Sequence, residues 1–491
     1  MYFLIKEYGV SNLQKPLRTI VSSAVLTILS AGAVQAGGFS LYTESSPAAI
    51  GNYAAGIAAE AADASTGWYN PAGLVLLSGQ QVVFGGVGVF PSTKLTGSSN
   101  FSVSVLPEQF SNYIETFSNI NGAEDAFVPA VHYALPLSDN ATFGLSIVAP
   151  FGLSTNWGND SPVRYEATLS DLFTANVSPE LGMKLTDQFS VGAGLDLQYA
   201  RVKFNRMIGV PNIMEFFNAV FDTEYSPSAN DTQSYNKGDS FGVGYHLGVM
   251  GVFNDKHTRL GLNYQSRVSH KFDGFSQLSG PLASEGDLAA SFVLPFAVRQ
   301  NNNLTSNNIQ FPDILTLSGY HDLNDKIALL GSLVYTGWSC FDTIQLNNVA
   351  APHIGGDLSV TQVSLDSSSP QYYKDTWRAA IGANYHFNKQ WMLRVGGGYD
   401  QTPTTNLYRD VRLPDSDRWA LSIGGHYQAR ENIGVDVGYT HLFGINNSGV
   451  NTTDILSATS SYSINAASSA QADLVGAQVV WLIDQPNSKT K

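Results

Sequence analysis

Residues 241–253 read FGVGYHLGVMGVF, and their alternation decides the fold. Phe241, Val243, Tyr245, Leu247, Val249 and Phe253 fall on one face of an extended chain, because side chains in a strand point to opposite sides with period two. Gly242, Gly244, His246 and Gly248 fall on the other face. This is the pattern of a strand with lipid on one side and a polar lumen on the other.

The same pattern continues outward along the chain. Trp377, Ala379, Ile381, Ala383, Tyr385 and Phe387 alternate with Arg378, Ala380, Gly382, Asn384 and His386. Ile433, Val435, Val437 and Tyr439 alternate with Gly434, Asp436 and Gly438. A soluble β-sandwich also alternates. Two features favour the membrane: Trp391, Tyr399, Trp419 and Tyr427 sit near strand ends like interfacial girdles, and the polar face carries glycine and charges of both signs. Tight turns fall at 138–140, 186–188, 254–256, 324–326, 388–390 and 430–432, rich in the Asn and Asp that tight hairpins tolerate. Six short turns predict about fourteen strands, an even number that returns both chain ends to one side. The expected fold is all-β, a 14-stranded antiparallel transmembrane barrel over residues 80–484.

Composition agrees. Only 13% of the 491 residues are charged, against Gly 46, Tyr 23 and Phe 26. A mean hydropathy of −0.05 excludes a set of transmembrane helices but not a barrel, whose apolar residues are hidden in alternation. One cysteine excludes a disulfide framework and suits a chain that crosses an oxidising periplasm. A net charge of −14 argues against nucleic acid as a partner. The nine histidines are scattered without metal-ligand spacing, no nucleophile motif is present, and Gly192-Ala193-Gly194 lies in a strand. No enzyme activity, metal or cofactor is expected.

Before the barrel come two other units. Lys15 and Arg18, the apolar run Ile20–Leu29 and the small-x-small end Val34-Gln35-Ala36 form a secretory signal peptide over 1–36. Residues 37–79 are rich in Ala, Gly and Ser, too poor in apolar area to build a core alone. Phe39, Tyr42, Tyr53, Trp68 and Tyr69 are spaced along them as anchors. They read as a plug, or hatch, inside the lumen.

Alternation turns Arg259, Asn263, Gln265, Arg267, Arg378 and Arg394 inward, with Glu180, Lys184, Asp196 and Asp436. The hatch acids Glu44, Glu60 and Asp63 are candidate partners, and an inward arginine could instead hold a carboxylate head group bidentately. Arg201 falls on the outward face, near lipopolysaccharide phosphates. In the long loops, Ile213, Phe216, Phe217 and Val220 recur at helical spacing, and 288–296 is apolar; either patch packs loops together or receives an apolar ligand.

The last strand, Leu474–Trp481, resembles the C-terminal signal read by barrel-assembly machinery, although Leu482–Lys491 follow it. The chain as a whole resembles the FadL/TodX family of outer-membrane transporters for long-chain fatty acids and other hydrophobic compounds. The residues that carry the likeness are Gly38-Phe39 with Asn70-Pro71-Ala72, then Tyr199–Lys203, Tyr335–Ser339, Trp377–Gly382, Leu393–Gly396, Asp400–Pro403 and Leu413–Arg418. The resemblance implies a monomer in the outer membrane of a Gram-negative cell. It implies a kinked third strand, here Ala141–Gly152 with Gly144 and Pro150 as the weak points, whose opening meets Asn70, Pro71 and Ala72. The implied route runs from the loops 205–239 and 271–310 to a pocket at Phe39 and Leu41, then sideways into the bilayer. Long-chain fatty acids are the first expected ligand, aromatic or alkane hydrocarbons the second. A loop-mediated adhesin or receptor is the rival of another class.

Overall fold

The computed structural model describes residues 38–288, 296–445 and 448–483. The expected signal peptide, most of the apolar patch 288–296 and the chain end beyond residue 483 lie outside the described residues.

The described chain closes into a barrel of fourteen antiparallel strands. They are β1 (Gln81–Val103), β2 (Ala126–Ser138), β3 (Ala141–Val148 and Gly152–Asn156), β4 (Leu169–Lys184), β5 (Phe189–Ile208), β6 (Thr232–Phe253) and β7 (Thr258–Gln265 and Val268–Gly280). Then follow β8 (Ala297–Phe311 and Ile314–Asn324), β9 (Ile327–Thr336), β10 (Thr376–His386), β11 (Trp391–Asp400), β12 (Arg418–Arg430), β13 (Ile433–Gly444) and β14 (Ser460–Leu482). β14 returns to β1 over the full length of both, from Gln81 opposite Leu482 to Val103 opposite Ser460. Closure leaves every strand paired on both sides, as a bilayer requires, with one local exception in β3. All six tight turns join neighbouring strands at one end. The opposite end carries long loops, among them a helix at Pro211–Phe221 and strand pairs that extend β1, β8 and β14.

Alternation survives folding. Phe241, Val243, Tyr245, Leu247 and Val249 face out, while His246 is wholly buried. Ile381 is 76% exposed toward the lipid. Trp391 stacks on Tyr427 near the short turns, and Tyr399 packs on Trp419 toward the loops. The eight residue steps from Trp391 to Tyr399 make about 27 Å of strand, which at the usual tilt rises about 20 Å and places both pairs near the edges of an apolar band.

The pattern slips twice. β7 is interrupted at Ser266-Arg267 and β8 at Pro312-Asp313. An odd-numbered inward face, Asn263 and Gln265, becomes an even-numbered one, Val268 and His270. Arg267 therefore points out, 47% exposed, and pairs with Asp313 at 2.8 Å. The expectation that it faces the lumen is corrected.

The hatch fills the lumen as short helical turns, nearly all of it buried. Its small residues let its backbone touch the wall. A Cβ at Gly261 would lie 1.8 Å from the Ala58 carbonyl oxygen, and one at Gly248 would lie 2.0 Å from Asn70 Oδ1. Larger side chains on either surface would hold the two apart.

Candidate functional site

The site lies where β3 is broken. Ala149, Pro150 and Phe151 separate its two halves, and both halves pair with β4. Proline has no N–H to donate, so the ladder must fail there. On the other side, only Val131–Ser138 of β2 pair with β3. Residues 126–130 of β2 remain bonded to β1, so the break opens a gap between β2 and β3. Gly144 is not the weak point. It pairs with both Ala134 and Glu180, and its missing side chain makes room for Leu74 and Glu180.

The start of the hatch occupies the break. The Leu41 N–H donates to the Pro150 carbonyl at 2.8 Å, and the Gly152 N–H donates to the Phe39 carbonyl at 2.8 Å. Phe39 sits among Phe151, Phe311, Trp338, Phe341 and Tyr373, with the Trp338 ring 4.5 Å away. Edge-to-face contacts of this kind add to the area each ring buries. Trp68 and Tyr69 pack beside the gap with Ala130 and Val148.

Asn70, Pro71 and Ala72 lie elsewhere. The Asn70 side chain donates to the carbonyls of Ala58 (2.7 Å) and Val249 (3.0 Å), and accepts from the Ala72 N–H. Pro71 lies over Gly192, and the Ala72 carbonyl accepts from Ser190. The triplet anchors the hatch to β5 and β6. The expected meeting of the triplet with the third-strand opening is corrected: Phe39–Leu41 make that contact.

The inward arginines separate into two groups. Arg259 donates to the Glu60 carbonyl and lies 3.9 Å over the Tyr320 ring. Arg394 pairs with Asp436, which also bonds His426. These groups line a cavity of about 430 Å³ beside the turn at 388–390, with Glu60 and Asp63. Arg378 lies nearer the hatch start. Its Nη2 donates to the Tyr53 carbonyl at 2.8 Å, its guanidinium covers the Tyr53 ring at 3.9 Å, and its buried Nη1 has no partner among the described residues. Among the described residues no ion pair joins a hatch acid to a wall arginine. Glu60 accepts from Asn384, Asp63 from Gln478, and Glu44 from Thr43. The expected charge pairs are thus replaced by bonds from arginine to hatch carbonyls. Burial pushes the Glu44 carboxyl above its usual range, opposed by Thr43, Arg378 and Arg418.

The remaining candidates fall outside this centre. Arg201 faces outward, 3.6 Å from Asp171. Phe216 and Phe217 lie on the loop helix, where Phe216 packs on Phe110 and Val220 and Phe221 remain exposed. Lys184 pairs with Asp187 in its turn. Sequence reasoning missed the cage around Phe39. Its five rings come from four separate stretches, with Phe311 at the interruption of β8 and Trp338 just past the end of β9. It also missed that His246 lies 3.1 Å from Asp196 and 3.9 Å from Glu180 behind the hatch.

A closed barrel with a lipid-facing band and a folded insert in its lumen defines a plugged barrel of the bacterial outer membrane. The chain belongs to the outer membrane protein transport protein (OMPP1/FadL/TodX) family, which matches residues 27–481. It is therefore a transport protein of the outer membrane and not an enzyme. It is 29% identical over 440 residues to the long-chain fatty acid transport protein of Escherichia coli O6:H1, covering 88% of this chain and 92% of that one. It is 29% identical to outer membrane protein P1 of Haemophilus influenzae, over 86% and 89% of the two chains. The crystal structure of a Pseudomonas aeruginosa FadL homologue shares the fold with a TM-score of 0.72 at 21% identity, covering 91% of this chain and all of that one. The Ralstonia pickettii toluene transporter TbuX matches with a TM-score of 0.57 at 19% identity, over 90% and 99% of the chains.

Proposed function

We propose that this protein takes up long-chain fatty acids passively across the outer membrane. The observation that carries the reading is the pairing of Phe39–Leu41 into the gap of β3. The hatch start closes a lateral opening, and its withdrawal would connect lumen to bilayer. The spaces beside it are about 20 and 30 Å³, little more than one water each, so a ligand must displace hatch residues to pass. Sideways exit suits the cargo, because an apolar chain gains by remaining out of water. Capture falls to the extracellular loops, where Phe216, Phe217, Val220 and Phe221 offer apolar surface. Arg378, with one buried nitrogen unpaired, is the group best placed to take the carboxylate. The names of several relatives support a fatty-acid cargo.

One observation favours a second reading. If Phe39 leaves its cage, the vacated place among five rings suits a single aromatic ring, as in a hydrocarbon cargo. Binding of radiolabelled oleate and toluene to the purified protein separates the two. Saturable oleate binding, weakened more by Arg378→Ala than by Arg394→Ala, supports the fatty-acid reading. Toluene binding alone, or oleate binding indifferent to both changes, favours hydrocarbons. Absence of binding by either ligand sinks both.

A further inference from the structure

A basic cluster lies on the outer wall, away from the hatch. On β6 the outward residues from Phe253 back to Phe241 form the lipid-facing band. Twelve residues of strand, tilted as barrel strands are, reach about 30 Å in height, which matches the hydrocarbon layer. The next outward residues toward the loops are Asp239 and Lys237. On β5 the band ends at Tyr199, and Arg201 and Lys203 follow. These groups therefore lie at the level of the outer-leaflet head groups.

Lys203 and Lys237 are direct cross-strand partners. Like charges set opposite one another on one face of a sheet destabilise it. The carboxylates nearby relieve this pair only in part, at Lys203. Asp171 lies 3.6 Å from Arg201 and 3.7 Å from Lys203, so one acid serves two cations. Asp239 stands opposite Arg201 and accepts from the Tyr199 hydroxyl. Asp273, opposite Asp239, has Lys271 two residues away on its own outer face. Lys237 has no ion-pair partner among the described residues. Aromatic rings flank the group: Arg201 lies over Phe173, and Tyr235 stacks on Phe275.

We infer that Lys203 and Lys237, with Arg201 beside them, bind the phosphate of a phosphorylated outer-leaflet glycolipid. A phosphate between the two lysines would turn repulsion into two charge-assisted contacts. The acyl chains of the same lipid would lie along the apolar band directly below. A site in this position would pin annular lipid beside β4–β6, the wall next to the broken strand.

The test uses the full-length protein in detergent, titrated with bis-phosphorylated lipid A and followed by native mass spectrometry. The double variant Lys203→Gln/Lys237→Gln should lose affinity by about tenfold or more. Lys237→Gln alone, which leaves the Asp171 contacts intact, should move the same way. Lys389→Gln, in a turn at the opposite end, should bind as the wild type does. Dephosphorylated lipid A should bind the wild type no better than lipid A binds the double variant. Without lipid, Lys237→Gln should melt higher than the wild type, since the repulsion is gone and the Asp171 contacts remain. Equal lipid A binding by the wild type and the double variant, equal binding of the dephosphorylated lipid, or a lower melting point in lipid-free Lys237→Gln would overturn the assignment. Full occupancy by inorganic phosphate alone would overturn the choice of a lipid.

Discussion

The Leu41 N–H donates to the Pro150 carbonyl at 2.8 Å, so a hatch residue bonds to the wall where β3 has lost its own pairing. The contact is held from one side by the hatch and from the other by the ring cage around Phe39. Phe39→Ala removes about 3–5 kcal/mol of packing and leaves the segment held by hydrogen bonds at Gly38, Leu41 and Tyr42. The expected result is local: faster amide hydrogen exchange over 38–46, with exchange in β10–β13 unchanged.

Gly261 tests whether the hatch is seated by close approach. Its Cβ position lies 1.8 Å from the Ala58 carbonyl oxygen, which is backbone and cannot swing aside. Gly261→Val should leave a folded barrel with native strand content by circular dichroism. The hatch should become sensitive to protease in that variant, and remain resistant in the wild type.

Arg394 and Asp436 form a buried pair, with His426 and Gln478 as the further partners of Asp436. Arg394→Ala leaves a buried carboxylate with only His426 and Gln478 and should cost about 3 kcal/mol in urea unfolding. Removing both partners with Arg394→Ala/Asp436→Ala should cost less than the single change. A double variant at least as unstable as the single one would show that the arginine acts through something other than the pair.

Among the extracellular loops, burial pushes the Glu166 carboxyl above its usual range, helped by Asp410 and Asp454 and opposed by Thr452 and Arg412. The folded state thus holds a proton that the unfolded state releases near pH 4.5. Stability is full below that pH and falls as pH rises from about 4.5 through neutrality. Glu166 accepts from the Val411 N–H and the Thr452 hydroxyl, so it ties three loop segments together. Thermal melts of the wild type should decline over this window. Those of Glu166→Gln should decline less.

The fold was largely legible in the sequence because alternation and turn chemistry are local. Residues 241–253 carry their own face assignment, and six Asn- or Asp-bearing turns count the strands. Alternation misplaces Arg267 because the slip at Ser266-Arg267 inverts the faces of the rest of β7, and nothing in its composition marks a slip. The weakness at Pro150 could be read, since a missing donor is a property of the residue. What fills the gap could not be read, because Phe39–Leu41 lie more than a hundred residues away. The arginines were rightly read as inward at 259, 378 and 394. Two of the three bond hatch carbonyls and one an acid, and a carbonyl has no signature in a sequence.

The central claim is that the hatch start must leave the break in β3 for cargo to pass. Ser40 and Phe151 are partners in an antiparallel bridge across this junction, a spacing that a disulfide can span. With Cys340 replaced by Ser, the pair Ser40→Cys/Phe151→Cys would lock hatch to wall when oxidised. Uptake of labelled oleate by cells carrying this variant should fall to background when oxidised and return on reduction. Equal uptake in the oxidised and reduced states, with the cross-link verified, would contradict the account.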